Sequence, residues 1–145
     1  MKTHEVSLRV RYQETDQMGV VYHANYLVWM EVGRCEYMRK LGMPYTTFEK
    51  NKIYLPVIKA YCEYKSPAFY DNIIKVVTRV ASLKEVKITF HYDIFREEEE
   101  EQQLVAAGET EHAFVNDLGK PLVLKKNNPF LWRRLLEVVE GVEDL

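Results

Sequence analysis

One stretch near the start of the chain holds the residues best able to do chemistry. Between Tyr12 and Tyr26 the sequence supplies a carboxylate at Asp16, a flexible glycine at Gly19 and an imidazole at His23. A strand-like segment precedes this stretch and a helix-like segment follows it, so His23 falls at the start of the helix. The first turn of a helix has backbone N–H groups without internal partners and a positive dipole. An electron-rich oxygen, such as the oxygen of a carbonyl under attack, is stabilised at such a place.

The spacing of these residues leaves two interpretations open. In the first, Asp16 acts as a nucleophile or a general base while the start of the helix polarises a carbonyl group. In the second, Asp16 only caps the loop and His23 only fills a gap beside the helix. Residue types and spacing alone do not decide between them.

Elsewhere the sequence lacks the motifs of common catalytic sites. It has no glycine-rich phosphate loop, no GxSxG elbow and no HExxH, and its four histidines never fall at metal-ligand spacing on a predicted helix. His91 and Asp93 share a strand face, as any i,i+2 pair does, so we expect a solvated or satisfied pair. Cys35 and Cys62 form neither a CxxC pair nor a cluster with histidine, which argues against a zinc site and a disulfide framework. We therefore predict no metal and no cofactor.

The segments on either side of the loop have the periodicity of regular structure. The first alternates apolar and polar residues, which predicts a half-buried strand with Val6, Leu8, Val10 and Tyr12 on one face. From Ala24 to Leu41 apolar residues recur at helical spacing around most of the circumference, which predicts a central helix that is buried on several sides and ends before Gly42. Its predicted apolar side comprises Tyr26, Leu27, Met30, Tyr37, Met38 and Leu41.

Two charged residues interrupt the apolar arc of this helix. Glu31 and Arg34 are spaced i,i+3, so they lie on neighbouring turns of one face. An unpaired buried charge is costly. We therefore expect a paired structural contact, at the helix edge or at a subunit interface, rather than contact with a ligand.

The rest of the chain has the pattern of a short helix, four strands and a terminal helix. A short helix is expected around Tyr45 to Lys50, and short connectors predict that the later strands form an antiparallel meander. The acidic run Glu97 to Glu101 is expected at a solvated hairpin tip. Asn128 as N-cap, Pro129 in the first turn and Gly141 at the end frame the terminal helix. The four strand segments are Val57 to Lys65, Ile73 to Leu83, Val86 to Arg96 and Leu104 to Val115.

These elements predict a single α+β domain over residues 1–145, in which a curved antiparallel sheet wraps the long central helix. The charge balance, 20 Lys and Arg against 22 Asp and Glu, leaves no global field that would attract nucleic acid or an anionic membrane. No apolar run approaches the roughly 20 residues that span a bilayer, and the start has no apolar leader. We therefore expect a cytoplasmic protein with no nucleic-acid partner and no integral membrane segment.

The loop and the helix start resemble the signature of a known enzyme family. Tyr12 followed by Glu14-Thr15-Asp16-x-x-Gly19-Val20-Val21-Tyr22-His23-x-x-Tyr26 resembles the motif of hotdog-fold acyl-CoA thioesterases of the hydroxybenzoyl-CoA thioesterase type, and especially of their Tol-Pal-associated branch. The resemblance continues through Glu31 and Arg34, and through the segment Tyr64 to Asp71. A hotdog fold has the same arrangement of a sheet around a central helix.

The resemblance implies hydrolysis of acyl-CoA to a free acid and coenzyme A. Asp16 would be the nucleophile or the general base, and the backbone N–H of His23 would polarise the thioester carbonyl. The side chains of Tyr12 and His23 would line the site and orient Asp16 or water. Met18 stands where a small residue is frequent, which would narrow or reshape the acyl pocket, and Glu14 stands where Asp is frequent. The implied substrate-binding residues are Gly19, Val20, Val21, Tyr22 and Tyr26.

The resemblance also implies a homodimer or homotetramer with the cleft between subunits. The coenzyme A phosphates would need Lys or Arg at the mouth of the cleft, and the sequence does not rank the candidates Lys65, Lys84 and Lys87. Two other functions stay open: a non-catalytic acyl-CoA-binding or scaffold module, and an enoyl-thioester hydratase.

Overall fold

The computed structural model of the chain describes residues 2–142. Strand β1 is followed by the loop, the long helix α1 and the short helix α2, and then by strands β2 to β5, two short helices and a final short strand. The elements are β1 Thr3–Arg9, α1 Asn25–Lys40, α2 Tyr45–Lys50, β2 Val57–Tyr64, β3 Ile73–Leu83, β4 Lys87–Glu97, β5 Gln102–Ala113, α3 Leu124–Asn127, α4 Pro129–Leu136 and β6 Gly141–Val142. All of the predicted strands and helices are therefore present, most within two residues of the expected bounds.

The order of strands in the sheet is β1-β3-β4-β5-β2, and neighbours along this path are antiparallel. The tight connections make β3, β4 and β5 a meander, as predicted. The meander does not include β2, which pairs with β5 at the far edge, so that part of the prediction is wrong. Two features explain the difference: β1 already occupies the free side of β3, and residues 65–72 between β2 and β3 contain Pro67 and are too long for a tight hairpin.

Helix α1 packs against β1, β3 and β4 and forms the centre of the core. Buried residues alternate along β3 and β4, and the α1 residues Tyr26, Met30, Tyr37 and Met38 are buried as predicted. Leu27 is on the predicted apolar side, but it is 41% exposed, and its neighbour Val28 is 47% exposed. Tyr12 also departs from the prediction, because it lies in a short 3-10 turn after β1 and is 77% exposed.

Gly33 is the point of closest approach between α1 and the sheet. A Cβ atom at this position would lie 2.5 Å from Thr78 Oγ1 and 2.7 Å from Val76 Cγ1, both on β3. Gly33→Ala should therefore destabilise the fold by about 1–3 kcal/mol through overpacking. Without that clash, alanine would instead stabilise the helix by up to about 1 kcal/mol, so the sign of the change tests the contact. Urea unfolding measures it, with Val32→Ile on the same helix as the control, and a more stable Gly33→Ala protein would contradict the packing.

Arg34 is buried and has hydroxyl groups as its partners. Its Nε donates to Tyr45 Oη at 2.7 Å and its Nη1 donates to Tyr92 Oη at 3.1 Å. Glu31 is exposed and makes no ion pair with Arg34. The expected structural role of Arg34 agrees with this geometry, whereas the pairing of the two charges is absent within residues 2–142.

A chain of buried hydrogen bonds continues from Arg34 across the sheet. Tyr92 Oη lies 2.6 Å from Thr110 Oγ1, which lies 2.8 Å from His112 Nε2. The other ring nitrogen of His112 lies 3.0 Å from the backbone oxygen of Leu55, so it carries the proton and donates. One consistent donor direction therefore runs from Arg34 to the Leu55 carbonyl.

The C-terminal segment packs on the domain. Asn128 caps α4 by accepting a hydrogen bond from the Leu131 N–H at 3.1 Å, as predicted. The helix ends at Leu136 rather than at Gly141, because the following chain turns back and the Glu140 N–H donates to the Val80 carbonyl at 3.1 Å. Strand β6 then pairs with the end of β3.

The His91–Asp93 pair and the acidic run agree with the expectations for them. His91 Nε2 lies 3.1 Å from Asp93 Oδ1, and this pair belongs to an ion-pair network with Arg79 and Glu109 on the sheet face away from α1. The run Glu97 to Glu101 forms the exposed tip between β4 and β5. Across residues 2–142, no helix has the length and apolar character needed to cross a membrane.

Candidate active site

Glu14 links the loop to the start of α1 through hydrogen bonds. Its side chain is buried, with Oε1 accepting from the Arg11 N–H at 2.7 Å and Oε2 accepting from Trp29 Nε1 at 3.0 Å. Its backbone oxygen accepts from the Tyr22 N–H and from Asn25 Nδ2, both at 2.8 Å. Glu14 therefore ties the loop to the start of α1, a structural role that the sequence analysis did not assign.

Asp16 opens a tight turn and also presents a carboxylate oxygen. Its Oδ1 accepts from the Met18 N–H at 2.8 Å, and its backbone oxygen accepts from the Gly19 N–H at 3.0 Å. Gly19 has a φ of +80°, the left-handed region that favours glycine. Within residues 2–142, no group donates a hydrogen bond to the second carboxylate oxygen, Oδ2. Both interpretations of Asp16 are thus compatible: one oxygen holds the turn while the other remains available.

A cavity of about 350 Å³ lies between this turn, the start of α1 and the end of β2. It brings together five of the residues named from the sequence: Asp16, Val20, Val21, His23 and Tyr26. Four further residues complete the lining: Tyr64, Lys65, Ser66 and Pro67. Lys65 was one of the unranked candidates for the coenzyme A phosphates. For the other three, the sequence signal was the continued resemblance from Tyr64 onward, which had not been assigned to the site.

The other named residues lie beside this cavity. Tyr12 and Tyr22 line a neighbouring cavity on the other side of the loop, which shares Asp16 with the first. The Tyr12 ring meets Tyr70 edge to face at 5.6 Å. Gly19 lines neither cavity, and its role is to shape the turn. Among the candidate lysines, Lys65 lines the first cavity, while Lys84 and Lys87 flank the turn between β3 and β4.

The start of α1 leaves two backbone donors available. The Tyr22 N–H donates to the Glu14 carbonyl, and the Asn25 N–H donates to the Tyr22 carbonyl at 3.0 Å. Between them, the N–H groups of His23 and Ala24 have no acceptor in the described part of the chain. Ala24 is the N-cap residue and has no side chain that could occupy these donors. This is the geometry of an oxyanion-binding helix start.

Aromatic rings form part of the wall of the cavity. Tyr64 meets Tyr26 edge to face at 5.2 Å and His23 at 6.3 Å, and Tyr64 Oη donates to the His23 carbonyl at 3.0 Å. Partial burial, together with the neighbouring Cys62 and Tyr26, raises the pKa of Tyr64 to about 12. Tyr64 therefore stays protonated at neutral pH and acts as a donor.

The arrangement suits chemistry at a carbonyl group. Asp16, which has an available carboxylate oxygen, and His23, which has a free backbone N–H, line the same cavity, so a group able to attack a carbonyl and a donor able to stabilise its oxygen belong to one site. Over residues 2–142, no group of three or more His, Cys, Asp or Glu side chains is placed to hold a metal ion.

Comparison with known proteins agrees with this geometry. The family described as "Thioesterase-like superfamily" matches residues 10–130. The chain is 42% identical over 95 residues to the "Putative acyl-CoA thioesterase YneP" of Bacillus subtilis (strain 168), covering 66% of this chain and 69% of that protein. It is 31% identical over 83 residues to the "Acyl-CoA thioester hydrolase YbgC" of Escherichia coli O6:H1, covering 57% and 62%.

A solved structure carries the same fold. The DHNA-CoA thioesterase from Staphylococcus aureus is 35% identical and superposes with a TM-score of 0.87, covering 94% of this chain and 91% of that one. This similarity confirms the predicted hotdog fold. Because the family match extends over most of the domain, from the end of β1 to the start of α4, the chain belongs to the thioesterase-like superfamily.

Proposed function

We propose that this protein hydrolyses acyl-CoA thioesters to a free acid and coenzyme A. The observation that carries the proposal is that Asp16, with an available carboxylate oxygen, and His23, with an open backbone N–H, line one cavity. The names of the relatives YneP and YbgC support the same reaction class.

In the proposed mechanism, the His23 N–H binds the thioester carbonyl oxygen. Asp16 then attacks the carbonyl carbon, giving an anhydride that water opens, or it takes a proton from a water molecule that attacks instead. The coenzyme A thiolate leaves without strong acid help, because thiol pKa values lie near 8.5. One oxyanion donor of this kind typically lowers the barrier by about 2.7–4 kcal/mol, so a site with few groups is sufficient.

The other named residues have supporting roles in this proposal. Val20, Val21 and Tyr26 line the cavity with Asp16 and would contact the acyl thioester. Tyr12 and Tyr22 border the adjoining cavity. Tyr12 would help to orient Asp16 or water, together with the His23 side chain, and Tyr22 would contact the substrate. Gly19 would shape the turn that holds Asp16.

Release of free thiol from acyl-CoA tests the proposed reaction. The purified protein should release coenzyme A from at least one ester in a panel of short, medium, long and aromatic acyl groups. With crotonyl-CoA as a separate substrate, loss of the enoyl absorbance without release of thiol would indicate a hydratase instead. Acyl-CoA binding without turnover across the panel would indicate a non-catalytic binding or scaffold module.

We also propose a homodimer, or a homotetramer built from it, with the cleft at the subunit boundary. Strand β2 is an edge strand with unpaired backbone groups, and it is exposed along almost its whole length. Val57, Ile58 and Tyr61 on β2, together with Leu27 and Val28 on α1, add exposed apolar surface. A second copy pairing along β2 would cover this surface and bring the partner close to the cavity, because Tyr64 ends β2 and lines the cavity.

Charge placed on the β2 edge should separate the subunits. Ile58 is 54% exposed on β2, so Ile58→Lys should convert an oligomer into a monomer while leaving the domain folded. Light scattering during size-exclusion chromatography measures the mass. Val86→Lys, at an exposed apolar residue away from this edge, is the control. A monomeric wild-type protein, or an Ile58→Lys protein with unchanged mass, would contradict the interface.

Two finer assignments belong to the proposal as well. The placement in the Tol-Pal-associated branch is supported by the motif from Tyr12 to Tyr26. A cytoplasmic location is supported by Cys35 and Cys62, which are both free thiols, since a reducing compartment maintains that state.

A further inference from the structure

We propose that Tyr64 is a positioning residue of the active site, whose hydroxyl holds the His23 carbonyl so that the N–H groups at the start of α1 face the bound thioester. This inference rests on the proposed function, because it concerns the oxyanion donors of that reaction. Tyr64 was not among the site residues named from the sequence. It reaches the site from the end of β2, 41 residues further along the chain.

Three backbone groups at the start of α1 are held by hydrogen bonds. The Tyr22 N–H is bound by the Glu14 carbonyl, and the Tyr22 carbonyl is bound by the Asn25 N–H. The next carbonyl, that of His23, accepts from Tyr64 Oη at 3.0 Å and from the Tyr26 N–H at a longer 3.3 Å. Both peptide groups that flank the His23 Cα are therefore fixed through their carbonyl oxygens, while their N–H groups remain open.

The usual means of fixing a helix start is absent at α1. The N-cap residue is Ala24, which makes no side-chain hydrogen bond to the first turn. A Ser, Thr, Asp or Asn side chain here would accept from an N–H of the first turn. Tyr64 instead holds a carbonyl oxygen, which stabilises the start of the helix without using any of its donors.

Tyr64 is anchored both through its backbone and through its ring. Its backbone is paired with Ala106 of β5, so it belongs to the sheet rather than to a loop. Its ring is packed edge to face against Tyr26, which is buried beside Trp29. Its hydroxyl is protonated at neutral pH, as an ordinary tyrosine is, and burial raises its pKa further.

Removal of this single hydroxyl should reduce turnover more than binding. Small displacements of positioned groups reduce rates by up to about 100-fold, so we expect Tyr64→Phe to lower kcat by about 10- to 100-fold with little change in KM. Tyr54→Phe is the control: it removes the same group from a partly exposed tyrosine that lines neither cavity and is not among the proposed interface residues. An unchanged kcat, or a rise in KM alone, would overturn the inference.

A measurement that does not need activity separates this inference from the proposed function. In ¹H–¹⁵N spectra, loss of the hydrogen bond to the His23 carbonyl should shift the Ala24 amide, which shares that peptide group. Tyr54→Phe should leave the Ala24 amide shift unchanged. An unchanged Ala24 shift in Tyr64→Phe would overturn the inference. If the wild-type protein released no thiol from any ester, the proposed function would fail, and these spectra would still decide whether Tyr64 holds the peptide.

Discussion

Asp16→Asn should remove nearly all thioester hydrolysis and leave the fold intact. The asparagine side-chain oxygen can still accept from the Met18 N–H, so the turn that Asp16 opens is preserved. An amide is neither a nucleophile nor a base of useful strength, so the function of the free oxygen Oδ2 is lost. Removing a group that transfers a proton or attacks the substrate typically lowers kcat by about 10²- to 10⁴-fold.

Thiol release under saturating acyl-CoA measures this loss, and thermal unfolding checks the fold. Asp117→Asn provides a matched control, since Asp117 also lies in a turn closed by a glycine, Gly119, but is remote from the cavity. A variant at position 16 that kept most of its turnover would exclude Asp16 as the catalytic carboxylate. Transfer of ¹⁸O from labelled water into Asp16 during turnover would identify the anhydride route.

The second large effect should be a loss of stability in mild acid that depends on His112. This histidine is fully buried, and its neutral ring already uses both nitrogens, one toward Leu55 O and one toward Thr110 Oγ1. Burial lowers the pKa of His112 from 6.5 to about 4, and the positive charge of Arg34 acts in the same direction. The Phe90 ring, which packs edge to face at 5.5 Å, offers no carboxylate that could stabilise the protonated form.

The direction of the effect follows from the two protonation states. Below pH 6.5 the unfolded chain binds a proton at His112, whereas the folded chain does not until about pH 4. The free energy of unfolding should therefore be largest above pH 6.5 and should decrease by about 3 kcal/mol as the pH falls to about 4. Other groups titrate in the same range, so the informative quantity is the difference between the wild type and a variant.

Urea unfolding across this pH range, for the wild type and for His112→Gln, isolates the contribution. The glutamine variant should be less stable at neutral pH, because the buried hydrogen-bond chain is disturbed, but its stability should decrease less in acid. His91→Gln is the control, because that ring lies in the ion-pair network on the other sheet face. An unaltered pH slope in His112→Gln would show that the acid sensitivity comes from elsewhere.

Much of the active-site loop was predictable because it is local in sequence. Asp16, Gly19 and His23 lie within one short segment between a strand and a helix, so any folding of these elements brings them near the helix start. The features that needed the structure involve residues distant along the chain. Glu14 binds Trp29, and Tyr64 binds His23, and neither contact has a periodic signal in the sequence.

For the fold, the pattern of residues was enough to predict the elements, whereas their arrangement depended on contacts between distant parts of the chain. The period of apolar residues identified α1 and β3 closely, because that period records which side of an element meets the core. The position of β2 in the sheet had no such signal, because an edge strand can pair with any strand whose outer side is free. Since β1 occupies the outer side of β3, β2 pairs with β5. Since the cavity forms where β2 ends beside the start of α1, the cavity wall at Tyr64 was decided by strand order and not by local pattern.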